Sequence, residues 1–202
     1  MIDNYNDLTL GTFLEIDAVL NSDREDIDQQ VAIVSLLSGI SEQDILELPL
    51  PDYTALAAKT DFLRQECPQV QAPARVIVGD RAYGLVKDFT KITTAQYVDF
   101  QTFSKQGTQK LPEVLAVLLI PEGHKYNEDY DFLDVVADVK TLPLPVALSL
   151  VGFFFGALSE SMAASLTYLE GKARTLPRKK AKAMLEQAEK IKATLAGVGL
   201  QM

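Results

Sequence analysis

A few residues of this 202-residue chain are of types that do chemistry, and their spacing says what chemistry that would be. His124 is the only histidine and lies between Gly123 and Lys125. A histidine acts as a base or a metal ligand beside a nucleophile or a second ligand, and no Ser or Cys motif points to this one. Cys67, the only cysteine, precedes Pro68, without a CxxC pattern or a basic cluster to make it a thiolate. Asp131, Asp134 and Asp138 share one helical face and suit a cation or a basic partner, while the plainer reading is a solvated face. EF-hand spacing is absent, and residues 79–84 (GDRAYG) match neither GxxxxGK[ST] nor GxGxxG. The sequence therefore predicts a protein that is not an enzyme and has no cofactor and no metal. The competing enzyme reading demands a pocket that converges on His124 or on Asp131 and Asp134.

Charge supplies a stronger signal. Residues 171–202 hold eight Lys/Arg against two Glu, a net of +6; with −9 overall, residues 1–170 stand at −15. From Pro177 the chain reads PRKKAKAMLEQAEKIKATLAGVGL, with an apolar helical stripe at Ala181, Met184, Leu185, Ala188, Ile191 and Leu195. Arg178, Lys179, Lys180 and Lys182 fall at the start of that helix, beside the positive dipole end, where each is unfavourable by about 0.3–1 kcal/mol. The conflict predicts an anionic neighbour. The acidic surface of this protein or of a copy comes first, so a homo-oligomer is one expectation. Simple solvation and nucleic acid are the alternatives, although a −15 body repels phosphates and no aromatic platform accompanies the basic run. Candidate partner-binding residues are thus Arg178, Lys179, Lys180, Lys182, Met184, Leu185 and Ile191.

The elements that must position these residues are mostly helical. Residues 144–169 (LPVALSLVGFFFGALSESMAASLTYL) are apolar with helical period, and apolar on both sides over the first half, which predicts an enclosed helix. Gly152 and Gly156, with Ser149 and Ala163, form a strip of small residues for close helix packing, within the chain or against another. Each glycine costs about 0.8–1 kcal/mol against alanine in a helix, so packing should offset it. The uncharged run 142–158 is shorter than the roughly 20 residues of a membrane span and contains prolines, so no membrane is expected. One cysteine excludes an internal disulfide, and the polar start predicts no signal peptide, which together suggest an intracellular setting.

Earlier in the chain, helices are expected at 8–20, capped by Thr9, and at 22–38, capped by Ser22 or Asp23 and stopped by Gly39. Further helices are expected at 41–46 and, capped by Asp52, at 52–65. Gly79-Asp80 between two β-type runs predicts a hairpin over 74–86. A helix opened by Thr93 or Thr94 runs to Gly107, another spans 113–120 with Pro112 in its first turn, and Asn127 or Asp129 caps an acidic one. The fold class is mainly α: a helical bundle around a buried helix near 144–169, one small β-hairpin near 74–86, and a C-terminal amphipathic helix. Two parts are expected, an acidic domain over 1–170 and a basic extension over 171–202.

Residues 91–105 (KITTAQYVDFQTFSK), 111–120 (LPEVLAVLLI) and 144–157 resemble proteins of tailed bacteriophages found among tail and head–tail morphogenesis genes. The shared pattern is a Thr-Thr helix with Gln-Tyr and Asp-Phe-Gln, a Leu-Pro-Glu helix, an acidic helix and a Phe-rich helix. It covers about residues 8–170 and carries no catalytic residue. The resemblance implies a tail assembly chaperone that shields the tape-measure protein, or a virion component near portal and tail. It places the protein in the host cytoplasm during assembly, or in the virion, with tape-measure, portal or tail proteins as partners.

Overall fold

A short run of antiparallel pairing ties the N-terminus to the far end of the chain. Thr9 bridges Pro143, the Leu10 N–H donates to the Leu142 carbonyl at 2.9 Å, and the Leu144 N–H donates to the Leu8 carbonyl at 2.7 Å. Leu8 and Leu10 are fully buried beneath it. The computed structural model describes residues 1–175 except Lys87, Phe89 and Thr90, together with Lys182, Leu185, Glu186 and Glu189.

The helices are α1 (Leu10–Leu20), α2 (Asp26–Ser38), α3 (Glu42–Leu46), α4 (Leu50–Ala58), α5 (Thr94–Ser104), α6 (Leu111–Leu118), α7 (Phe132–Lys140) and α8 (Leu144–Thr175), with a 3-10 turn at Lys59–Arg64. Local chemistry sets many of their ends. The Thr9 hydroxyl accepts from the Thr12 N–H at 3.2 Å, and Gly39 closes α2 in the left-handed conformation. Thr93 and Gln96 form a reciprocal capping box.

Three expected caps are corrected. Ser22 belongs to the end of α1, where its hydroxyl donates to the Val19 carbonyl, so α2 begins at Asp26 with Glu25 before it. Pro49, not Asp52, precedes α4, and Pro51 sits in its first turn, where a missing N–H costs nothing. Asp131 caps α7 by accepting from the Leu133 N–H at 2.8 Å, while Asn127 and Asp129 take positive φ in the preceding turn.

The hairpin is present as β1 (Arg75–Val78) and β2 (Arg81–Leu85), joined by Gly79-Asp80 with Val78 opposite Arg81. It gains a third strand, β3 (Leu119–Pro121), antiparallel to β2 with Gly84 opposite Ile120. The sequence places Leu119 and Ile120 in a helix, which in fact stops at Leu118.

The protein is mainly helical with a small antiparallel sheet. Its most enclosed element is α6: Leu115, Ala116, Val117 and Leu118 have no exposed surface, and α5, α7 and α8 all pack on it. Helix α8 enters the same core through Leu144, Ala147, Leu150 and Phe154. Among the described side chains Ala157 is the last of α8 to pack against this core, and of those beyond it Glu160, Ala163, Thr167 and Tyr168 are exposed. The helix also runs through residue 171, where the charge composition changes. A smaller cluster of Val31, Val34 and Ile45 joins α2, α3 and α4.

Candidate functional site

The residues most suited to chemistry meet in a cleft between the hairpin and α7. Strand alternation puts Arg81 and Tyr83 on one face of β2, and the helical period puts Asp134 and Asp138 on one face of α7. Arg81 reaches both carboxylates, at 3.4 Å to Asp134 and 3.3 Å to Asp138. The buried Tyr83 hydroxyl donates to Asp138. Burial, and then that carboxylate, push the Tyr83 phenol up to about 12, against the opposing pull of Arg81. The loop 121–131 brings His124 to the rim, its Nδ1 3.2 Å from the Glu122 carbonyl and its ring edge-on to Tyr130. Glu122 is itself paired with Arg75 at 2.6 Å. The cleft holds about 540 Å³, and Asp80, Asp131 and Asp134 also line it.

His124, Asp131 and Asp134 therefore do converge, as the enzyme reading demanded. What surrounds them is a network of formed pairs. No serine, threonine or cysteine is among the described lining residues, and burial raises the pKa of both tyrosines there, Tyr83 and Tyr130. Among the described residues no group of three or more His, Cys, Asp or Glu is placed to hold a metal ion. Arg81, Tyr83, Glu122 and Tyr130 went unrecognised in the sequence. The period-2 pairing of Arg81 with Tyr83 was the readable signal, and their partner helix, more than 50 residues away, was not.

At its glycines the small-residue strip has no close neighbour among the described residues. A Cβ built on Gly152 or Gly156 meets nothing described within 4 Å, so no backbone of the described chain packs closely there. Ser149 and Gly152 instead border a cleft of about 410 Å³ opposite Cys67, Pro68 and Val70, and the Ser149 hydroxyl donates to the Val146 carbonyl of its own helix at 2.7 Å. Gly156 and Ala163 are exposed. Burial raises the pKa of the Cys67 thiol, away from a thiolate.

No protein-family model, curated protein or solved structure matches the chain. Of the partner-binding candidates, Arg178, Lys179, Lys180, Met184 and Ile191 lie outside the described residues. Lys182 and Leu185 are helical and exposed, with Lys182 3.9 Å from Glu186 one turn on. Among the described residues no helix is long and apolar enough to cross a membrane.

Proposed function

We propose that this chain is a non-enzymatic morphogenesis protein of a tailed phage that acts by protein–protein binding, as a tail assembly chaperone or as a head–tail or tail virion component. One observation carries the reading beyond the resemblance at 91–105, 111–120 and 144–157. Helix α8 is anchored in the core by its first turns and continues for 18 residues past Ala157, about 27 Å at 1.5 Å per residue. Helices in proteins draw most of their stability from packing an amphipathic face, so a helical arm of this length calls for a partner surface. Amphipathic helices recognise grooves through residues at this spacing. Tape-measure, portal or tail proteins are the partners this reading names, met in the host cytoplasm during assembly or within the virion.

The test is co-expression of the full chain with neighbouring tape-measure, portal and tail gene products, with complex mass as the readout. A stoichiometric complex that weakens on Ala163→Glu supports the reading; failure to associate with any of them overturns it. The nucleic-acid alternative, favoured by the exposed Lys182, predicts instead binding to duplex DNA that falls steeply with salt and disappears when Arg178, Lys179, Lys180 and Lys182 are neutralised.

A further inference from the structure

A third concavity, far from the hairpin cleft in sequence, lies between the end of α1, the start of α2 and the 3-10 turn Lys59–Arg64. It holds about 420 Å³, and Leu20, Ile33 and Leu63 give it an apolar floor. Leu20 is 55% exposed there, and Ile27, on the neighbouring face of α2, is 54% exposed. An acidic run, residues 23–28, adjoins it. Asp26 lines it, and Asp23, Glu25 and Asp28 stand exposed in the same run. Arg24, the one base in that run, is paired with Glu42 at 3.0 Å, and among the described residues no ion pair is formed by Asp23, Glu25, Asp26 or Asp28. Arg64, the one base lining the groove, is 84% exposed and 3.7 Å from Asp61.

We infer that this groove receives the basic C-terminal segment of a second copy of the chain. The inference rests on the protein-binding reading above and names one partner for it. Two features of the occupant match the groove: Arg178, Lys179, Lys180 and Lys182 answer the acidic run, and the stripe through Met184, Leu185 and Ile191 answers the apolar floor. The described part of that segment presents both kinds of group to solvent, with the Lys182 side chain 80% and Leu185 48% exposed. The two surfaces have opposite sign, +6 over residues 171–202 against −15 over 1–170.

Reach favours another copy as the donor. The hydrogen bond from Leu144 to Leu8 makes α1 and α8 begin side by side. At 1.5 Å per residue α8 ends about 46 Å from that point and α1 about 15 Å from it. Thr175 then stands at least roughly 25 Å from Leu20 even with both helices running the same way. Arg178, Lys179 and Lys180 follow Thr175 by three to five residues, a span of at most about 18 Å. Within one chain only Lys182 and the residues beyond it can come level with Leu20, whereas the whole basic run of a neighbour is free to meet the groove, and reciprocal exchange closes into a symmetric pair or ring.

The experiment is the mass of the full chain by sedimentation equilibrium at low and high salt, where one copy weighs 22.2 kDa. The tail is reversed by Arg178→Glu, Lys179→Glu and Lys180→Glu, and the groove border by Asp23→Lys and Asp26→Lys. Because lysines oppose the dipole at the start of α2, Leu20→Gln serves as a second groove variant, and circular dichroism checks that each folds. The expected result is self-association of the unmodified chain. Each variant, or raised salt, weakens it about tenfold, and mixing tail-reversed with border-reversed protein restores it. A one-copy mass at low salt overturns the inference, as does association indifferent to both reversals or a mixture no better than its parts. A disulfide between Leu20→Cys and Lys182→Cys formed within single chains also overturns it, by making the occupant the chain's own tail. A one-copy mass accompanied by a complex with a tape-measure or portal protein sinks this inference alone and leaves the proposed function standing.

Discussion

Helices α6 and α8 are both strongly apolar in sequence, yet α6 is wrapped while several described positions of α8 stand open. Four consecutive α6 residues, Leu115 to Leu118, have no exposed surface, whereas Gly152, Gly156 and Ala163 of α8 face open space or solvent. The cause is topological. Helix α6 is flanked in sequence by α5 and α7, both of which fold back on it, and α8 crosses it as well. Apolar composition sets the demand for burial, and the order of elements decides which segment gets it.

The largest effect belongs to the wrapped helix. Leu115→Ala should destabilise the protein by about 2–5 kcal/mol in denaturant unfolding, because the enclosed site has little room to collapse. A loss near zero would erase the contrast between the two helices.

Alkali probes the seam that holds the hairpin to α7 on the wrapped side. Tyr83 is raised from 10.0 to about 12, so the fold favours its neutral form. That contribution is fully present below pH 10 and drains away as the pH rises through about 12. Circular dichroism followed alongside tyrosinate absorbance should show stability falling across this window, and Tyr83→Phe should flatten the fall.

A smaller effect is expected where a polar group serves α6. Gln96 is 4% exposed; its amide donates to the Val117 carbonyl at 3.2 Å and its oxygen accepts from the Thr93 N–H at 3.1 Å. Gln96→Leu should cost about 1–3 kcal/mol, since it strands a buried carbonyl and opens the capping box. The smallest change has the opposite sign. Gly156→Ala should stabilise the isolated chain by about 0.8–1 kcal/mol, because a helix-interior glycine with nothing beside it gains from a methyl group. A net loss on Gly156→Ala would mean that another backbone packs there in solution, which sharpens the comparison by covering the arm.

What the sequence could tell follows the range of each interaction. Thr9, Thr93, Gly39 and the Gly79-Asp80 turn act within a few residues and were readable. β3 was not: Leu118, Leu119 and Ile120 form an apolar run that suits a helix or a buried strand equally, and its pairing with Tyr83, Gly84 and Leu85 decided the outcome. The start of α2 was misplaced because Ser22 had a competing use at the end of α1. The hairpin cleft was half legible. Asp131, Asp134 and His124 were singled out by type, but the arginine and tyrosine that occupy two of the carboxylates, Asp134 and Asp138, come from a strand more than 50 residues away.

The bridge from Thr9 to Pro143 bears on how the molecule is made. Leu8 and Leu10 leave the ribosome more than 130 residues ahead of the segment that covers them. At roughly 5–20 residues per second, these leucines stay uncovered for on the order of ten seconds. A nascent chain halted before Leu142 would carry an uncovered, adhesive N-terminus, a natural target for trigger-type holdases and for proteases.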